Sequence, residues 1–152
     1  MTVAAVLKQK GASVIAVRPE DSVGEAADIL TRQRIGAVVV LSDAGELVGI
    51  LSERDLVRGL TEHGAILRNL RVADLMTRDV KVASPRTTVG EAMEIMDCGY
   101  FRHLPVVDDE GSLQGIVSIR DLVRFRITTQ ESDLESLQAY VVGRGYGLGR
   151  LG

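Results

Sequence analysis

The sequence contains no tryptophan, and aromatic residues make up only 3% of its 152 positions. Hydrophobic residues still account for 45% of the chain, so the core must be built from aliphatic side chains. Proteins that bind single-stranded nucleic acids combine aromatic stacking platforms with basic surfaces. Because this chain is poor in aromatic rings and carries a net charge of −3, we expect no nucleic-acid partner.

Cysteine and histidine are also scarce. Cys98 is the only cysteine, which excludes an intrachain disulfide and favours a reducing, cytoplasmic location. One cysteine and two histidines form no cluster with zinc-site spacing, so we expect no metal. No apolar run approaches the roughly 18 residues that a membrane span needs. Residues 1–12 are typical of a short amphipathic helix and lack the pattern of a signal peptide, so we expect no membrane partner.

The sequence also lacks a recognisable catalytic set. Its two histidines, His63 and His103, lie outside the motifs that contain Ser52 and Ser118. The glycine-rich phosphate loops Gly-x-Gly-x-x-Gly and Gly-x-x-x-x-Gly-Lys-Ser/Thr do not occur. We therefore predict that the protein is not an enzyme.

An internal repeat organises the chain. When the sequence is aligned with itself so that Pro19 falls on Pro85, 18 of the 42 positions from 17 to 58 are identical to their counterparts at 83–124. The identities include Val-Gly-Glu-Ala at 23–26 with 89–92, and Arg-Asp-Leu-Val-Arg at 54–58 with 120–124. Shared helix patterning would not keep Gly, Pro, Asp and Arg in one register, so the sequence contains a duplication.

Each copy has the pattern of a βαββα unit. Short strands are predicted at 13–17 and 79–83, and each ends near a proline. A capped amphipathic helix follows in each copy, at about 22–33 and 88–98. Continuous apolar strands at 37–41 and 104–107 then lead through Asp-x-Gly turns into strands at 47–51 and 113–117. Final helices begin at Ser52 and Ser118.

These elements predict an α/β fold of the α+β type. One unit of about 50 residues is too small to bury its apolar sheet alone, so we expect the two copies to pack sheet to sheet with pseudo-twofold symmetry. The predicted organisation is an N-terminal helix at 1–12, repeat one at 13–62, a linker at 63–76, repeat two at 77–127, a C-terminal helix at 128–142 and a flexible glycine-rich tail at 143–152.

The strand-to-helix junctions at 49–55 and 115–121 carry the chemically informative motif, Gly-Ile-x-Ser-x-x-Asp. Serine at the N-cap with aspartate three residues later forms a capping box, worth about 1 kcal/mol to a helix. The same geometry also suits a ligand, because a helix N-terminus attracts phosphate and a carboxylate accepts hydrogen bonds from vicinal ribose hydroxyls. The motif alone leaves both interpretations open.

The order of these elements and motifs resembles the cystathionine β-synthase (CBS) domain. The resemblance covers roughly residues 11–60 and 77–127 and includes Phe-Arg-His-Leu-Pro-Val-Val-Asp at 101–108. It implies a tandem CBS pair with two clefts, which often pairs again into a dimer. It also implies an adenine ligand: AMP, ADP or ATP foremost, with S-adenosylmethionine or NAD(H) as further possibilities.

The resemblance also implies site residues in each copy. Asp55 and Asp121 correspond to the ribose ligands, with Ser52 and Ser118 beside them, where many relatives have threonine. Backbone groups of the first strands correspond to the contacts with the adenine edge. These strand residues are Val14, Ile15 and Ala16 in copy one, and Val80, Lys81 and Val82 in copy two.

The copies differ where phosphate contacts are expected. Copy two has Arg102 and His103 before its apolar strand, whereas copy one has Gly36 and Ala37 at the matching positions. In relatives a basic pair at this point reaches nucleotide phosphates; otherwise it is a solvated pair flanking a strand. Arg54 and Arg120 are further phosphate candidates, with pairing to a neighbouring carboxylate as their alternative. This asymmetry argues against two equivalent sites.

The sequence thus predicts a stand-alone, adenine-nucleotide-binding regulatory protein that forms a homodimer and acts on a separate protein. Two alternatives remain open. One is an NAD(H)-binding redox sensor of the same fold, and the other is a dimerisation module whose clefts have lost their ligands.

Overall fold

The first repeat forms a three-stranded sheet flanked by two helices. In the computed structural model, which describes the backbone of residues 1–151 and the side chains through Val142, repeat one runs through five elements. They are β1 (Ala16–Val17), α2 (Val23–Gln33), β2 (Ala37–Leu41), β3 (Leu47–Ser52) and α3 (Glu53–His63). Strand β2 lies in the middle, parallel to β1 and antiparallel to β3. The strand predicted at 13–17 is therefore shorter than expected and begins at Ala16.

The second repeat follows the same path with a reduced sheet. It contains α5 (Val89–Gly99), the antiparallel strands β4 (His103–Val107) and β5 (Leu113–Ser118), and the start of α6 (Ile119–Leu151). Both repeats shift strand register at equivalent places, between Val40 and Leu41 and between Val106 and Val107. Because even this irregularity in strand pairing occurs at the same place in both repeats, the duplication is confirmed.

The strand predicted at 79–83 is wrong except for its last residue. Ala83 alone forms a parallel bridge with Val106. The Ala83 N–H donates to the Pro105 carbonyl, and the Ala83 carbonyl accepts from the Val107 N–H. Extending this ladder backwards needs an N–H from residue 105, and proline has none. In repeat one the matching residue is Val39, and there the parallel pairing extends to Ala16.

Caps and turns also repeat. Ser22 and Thr88 accept hydrogen bonds from the backbone N–H groups of Glu25 and Glu91, which confirms the predicted helix starts. The hairpin turns use glycines at equivalent positions, Gly45 and Gly111, with φ values of 80° and 82°. Only glycine adopts this conformation without strain, so the Asp-x-Gly turns were readable from the sequence.

Helix α1 (Val3–Lys10) and helix α4 (Val72–Leu75) play equivalent roles in the two repeats. The N–H groups of Val72 and Ala73 donate to the carbonyls of Asp21 and Pro19 in repeat one. Those of Val3 and Ala4 donate to the carbonyls of Thr87 and Pro85, which are the repeat-two counterparts of the same two acceptors.

Each of these helices completes a hydrophobic core. Val3, Val6 and Leu7 are buried with repeat two, and Val72, Leu75 and Met76 are buried with repeat one. The segment 1–12, predicted as a separate N-terminal helix, is thus part of the second repeat's packing, and the linker's short helix is part of the first's. Between α3 and α4 the linker also forms a 3₁₀ helix, Gly64–Asn69.

The C-terminal helix predicted at 128–142 is the continuation of α6 and has no start of its own. Residues 119–142 contain neither proline nor glycine, so nothing in the sequence stops the helix that Ser118 starts. The predicted flexible tail at 143–152 lies outside the described residues. Within the described part of the chain, no helix is both long and apolar enough to cross a bilayer.

Candidate functional site

A cleft of about 150 Å³ lies between the two repeats. It gathers side chains from the end of β3, the start of α3, the segment after α4 and the start of β4. Seven residues predicted from the sequence line it: Ser52, Arg54, Asp55, Val80, Lys81, Arg102 and His103. The structure therefore combines the motif of repeat one with the basic pair and first-strand segment of repeat two.

Ser52 and Asp55 form the predicted capping box at the start of α3. The Asp55 N–H donates to Ser52 Oγ at 3.3 Å, and the Ser52 N–H donates to Asp55 Oδ2 at 2.9 Å. The capping interpretation of the motif is therefore confirmed in repeat one. Because both residues also line the cleft, the same geometry presents them to a ligand, and the two interpretations are compatible.

The Asp55 carboxylate is the only charged group buried among the described residues, with 3% of the residue exposed. The Thr77 hydroxyl donates to its Oδ1 at 3.1 Å, and the Arg58 guanidinium lies 3.0 Å from the same oxygen. Ser52 supplies its N–H and its hydroxyl to Oδ2. Four donors match the roughly four lone-pair sites of a carboxylate, so a ligand hydroxyl must replace one of them.

Basic groups line the other side of the cleft. Arg102 is exposed there, and the Arg54 guanidinium donates to the Tyr100 carbonyl across the repeat boundary. Burial lowers the pKa of His103 below its usual value, although the carboxylates of Asp121 and Glu53 partly oppose this. The His103 imidazole is therefore mainly neutral at pH 7 and is a poorer phosphate ligand than the sequence suggested.

Six further cleft residues were missed by the sequence analysis: Gly36, Ile50, Glu53, Thr77, Asp79 and Phe101. Thr77 and Asp79 follow α4 directly, and Phe101 precedes the basic pair. These three residues could have been suggested from the sequence, because they lie next to predicted site residues. The position of Gly36 could not be inferred, because it depends on how the two repeats face each other.

The remaining predicted site residues lie elsewhere. Val82 is 40% exposed and borders a separate shallow depression with Arg78 and Glu110. Six other predicted site residues are not brought into the described cleft. They are Val14, Ile15 and Ala16 of repeat one and Ser118, Arg120 and Asp121 of repeat two.

The second motif repeats the capping box but has a different neighbour. The Ser118 N–H donates to Asp121 Oδ2 at 2.8 Å, and the Asp121 N–H donates to Ser118 Oγ at 3.0 Å. Lys10 of α1 places its ammonium 2.6 Å from the same carboxylate oxygen. Burial by itself raises the pKa of the Asp121 carboxyl, but the hydrogen bonds from Lys10 and Ser118 outweigh it and lower the pKa below its usual value.

The cleft lining therefore combines a hydroxyl and a carboxylate with several cationic side chains. Ser52 and Asp55 form hydrogen bonds with each other. Among the described residues, no histidine forms a hydrogen bond with the Ser52 hydroxyl, as a histidine that activates a nucleophilic serine would. Among the same residues no group of three histidine, cysteine, aspartate or glutamate side chains is arranged to hold a metal ion. This arrangement suits the reversible binding of a ligand that has both hydroxyl groups and negative charge.

Comparison with known proteins establishes the family. A model of the CBS domain matches the chain twice, at residues 10–62 and 72–127. The chain belongs to the CBS-domain family. The mitochondrial CBS domain-containing protein CBSX3 of Arabidopsis thaliana is 35% identical over 153 residues, which cover 95% of this chain and 73% of the relative.

Solved structures share the fold. The CBS-domain containing protein ATU1752 from Agrobacterium tumefaciens is 42% identical, with a TM-score of 0.79 over 82% of this chain and 92% of that chain. CBSX2, solved in complex with AMP, is 29% identical, with a TM-score of 0.71 over 85% and 98% of the two chains. The CBS pair of MJ0100, solved with 5′-methylthioadenosine and S-adenosylmethionine, is 26% identical, with a TM-score of 0.75 over 85% and 98%.

Proposed function

We propose that this CBS pair is a regulatory module that binds an adenine nucleotide, AMP, ADP or ATP, in the cleft between its repeats. The observation that carries the proposal is the meeting of Ser52 and Asp55 from repeat one with Arg102 and His103 from repeat two. A carboxylate and a hydroxyl on one side and cations on the other match the ribose and phosphate ends of a nucleotide.

Each part of the nucleotide has a counterpart in the cleft. The ribose diol takes a place on the Asp55 carboxylate by displacing one of its present donors. Arg102 and Arg54 meet the phosphate, and Lys81 adds a third cation to the lining. The backbone around Val80 and Lys81 meets the adenine edge. The ligands of CBSX2 and MJ0100, which contain adenosine, support this chemistry in chains of the same fold.

The best-supported biological role is regulation of a separate protein in the cytoplasm without catalysis by this chain. NAD(H) is the second candidate ligand, because it also presents an adenosine and phosphates. Within the cleft, however, the acidic side chains of Glu53 and Asp79 stand among the cations. This mixed lining favours a ligand of modest negative charge, which AMP satisfies better than ADP or ATP does.

We also infer a homodimer. Val57 on α3 and its repeat-two counterpart Val123 on α6 are both exposed, at 68% and 39%. Leu60 and Ile127 lie one helical turn further on and are also exposed, at 60% and 51%. Exposed apolar side chains on corresponding helices of both repeats are of the kind that a twofold dimer buries.

A melting-temperature screen tests the proposed ligand class. AMP, ADP, ATP, S-adenosylmethionine, NADH and, as a control, inosine monophosphate are added separately at millimolar concentration. A ligand at 100 times its Kd adds about 2.7 kcal/mol, which is several degrees for a module of this size. Stabilisation by AMP, ADP or ATP supports the proposal, and stabilisation by NADH alone supports the redox alternative. If no adenine compound raises the melting temperature, the proposal is wrong and the dimerisation alternative gains.

A further inference from the structure

Lys10 occupies, in repeat two, the place that Thr77 occupies in repeat one. Thr77 donates its N–H to the Ile50 carbonyl at 2.9 Å and its hydroxyl to the Asp55 carboxylate at 3.1 Å. The Lys10 ammonium makes both bonds at once, to the Ile116 carbonyl at 2.8 Å and to the Asp121 carboxylate at 2.6 Å.

The acceptor residues in the two repeats correspond, although Thr77 bonds Oδ1 of Asp55 and Lys10 bonds Oδ2 of Asp121. In the repeat alignment Ile116 is the counterpart of Ile50, and Asp121 is the counterpart of Asp55. The donors arrive from α4 and α1, the two helices that pack in the same way on their repeats. A neutral hydroxyl in one repeat is therefore replaced by a permanent cation in the other.

The packing of α1 holds this cation in place. The side chain of Leu7 lies against Gly115, where an added Cβ would come within 2.7 Å of Leu7 Cδ2. Val3 and Val6 are 0% and 2% exposed in the core of repeat two. The Lys10 and Asp121 side chains are themselves largely covered, with 32% and 24% exposure. The helix that carries Lys10 is thus fixed by its buried apolar face, which holds the ammonium beside Asp121.

The cation beside Asp55 has a different consequence. Arg58 is not in the lining of the cleft, whereas Ser52 and Thr77 are, so a ligand that reaches Asp55 displaces a neutral donor and leaves the Arg58 ion pair in place. Beside Asp121, Lys10 itself lines the depression, together with Val6, Arg124 and other residues. A ligand approaching Asp121 from there meets the ammonium first.

A ribose diol competes poorly with this ammonium. Hydrogen bonds between two ionised groups are roughly twice as strong as those between neutral groups. Displacing Lys10 would exchange this ion pair for hydrogen bonds from neutral hydroxyls.

We propose that Lys10 is a built-in occupant of the second motif, which closes Asp121 to nucleotides so that each chain binds one adenine nucleotide, at Asp55. This inference rests on the proposed function, because it assigns that function to one of two duplicated motifs. Helix α1, whose buried face holds Lys10 on Asp121, acts as a latch on the second motif.

Isothermal titration calorimetry with AMP tests the latch. We expect the wild type to bind one AMP per chain, Asp55→Asn to lose at least tenfold in affinity, and Asp121→Asn to bind as the wild type does. Lys10→Met keeps the length of the side chain and removes the charge. We expect this variant to bind two AMP per chain, the second more weakly than the first, because Gly36 and Ala37 stand where the first site has Arg102 and His103. Lys8→Met, at an exposed lysine of the same helix, is the matched control and should bind one.

The outcomes separate this inference from the proposed function. If the wild type binds two AMP, or if Asp121→Asn weakens its binding as much as Asp55→Asn does, the latch is wrong while nucleotide binding stands. If no chain binds AMP, the proposed function and the latch both fail. If the wild type does not bind AMP but Lys10→Met does, the proposal that AMP binds at Asp55 is wrong and the latch is supported. Should Lys10→Met not fold, Lys10→Gln replaces it, and a single AMP per folded Lys10→Gln chain overturns the inference.

Discussion

The imidazole of His103 packs directly against Gly36 of the other repeat. A Cβ added to Gly36 would lie 2.9 Å from His103 Cε1 and 3.1 Å from Nε2, closer than real Cβ atoms lie to their neighbours. Position 36 is the repeat-one counterpart of Arg102. The difference between Gly-Ala in one copy and Arg-His in the other is thus a steric requirement, because only the glycine leaves room for the imidazole.

Gly36→Ala is expected to weaken AMP binding with little change in folding. The methyl group pushes the His103 ring off its position, and an off-rotamer side chain costs about 0.5–1.5 kcal/mol, or about 2- to 12-fold in Kd. Titration calorimetry measures the change. Gly90→Ala is the matched control, since a Cβ there meets nothing within 4 Å. Equal affinity in Gly36→Ala and wild type would show that the position of His103 does not matter for AMP.

Asp55→Ala is expected to destabilise the fold more than Asp121→Ala. The buried Asp55 carboxylate satisfies Ser52, Thr77 and Arg58, and its removal leaves these donors without a partner, at a cost of about 2–4 kcal/mol. Asp121 is more exposed, so its loss should cost about 1 kcal/mol. Urea unfolding of the two variants compares these costs. Equal losses would mean that Asp55 acts only as a helix cap, like Asp121.

The affinity for AMP should depend on pH through His103, and that for adenosine should not. Burial lowers the pKa of the free imidazole, Asp121 and Glu53 oppose this, and Lys10 and Arg102 reinforce it. A bound phosphate dianion raises the pKa, so binding takes up a proton and strengthens as the pH falls.

The increase in affinity should begin as the pH falls through the raised pKa that His103 has in the complex, and it should level off below the pKa of the ligand-free protein, which lies below 6.5. Protonation of the phosphate itself, near about pH 6, opposes the increase. Titrations of wild type and His103→Gln with both ligands measure the effect. A pH dependence that survives in His103→Gln would assign it to another group.

Val57→Glu is expected to dissociate the inferred homodimer. A carboxylate at a position that a partner covers loses its hydration without gaining a counterion, so association should weaken by at least tenfold. Sedimentation equilibrium measures the dissociation constant. Thr31→Glu adds the same charge on the exposed face of α2 and should leave the dissociation constant of the dimer unchanged. If both variants sediment as the wild type does, the surface around Val57 is not the interface.

Much of the fold could be predicted from the sequence, because the duplication constrains it twice. The capping residues Ser52 and Ser118 and the turn glycines Gly45 and Gly111 have local roles, and local chemistry was enough to place them. The strand at 79–83 was wrong because its length depends on the missing N–H of Pro105 in a neighbouring strand, which a local pattern does not reveal.

The candidate site was only partly predictable, because it lies between the repeats. The sequence suggested two motif aspartates with equivalent roles, but not the cation beside Asp121. The role of α1 had a weak signal, since Val-Ala-x-Val-Leu at 3–7 matches Val-Ala-x-Leu-Met at 72–76. The repeat alignment did not contain this match, because its register places Val3 on Asn69. Without it, neither Lys10 nor Thr77 could be assigned.

The location of the bound nucleotide is the most direct test of the account. A crystal structure of the chain with saturating AMP should show one nucleotide per chain between the repeats. Its ribose hydroxyls should lie within hydrogen-bond distance of the Asp55 carboxylate and its phosphate beside Arg102, while Lys10 stays on Asp121. An empty cleft at saturating AMP, or a nucleotide held by Asp121, would contradict it.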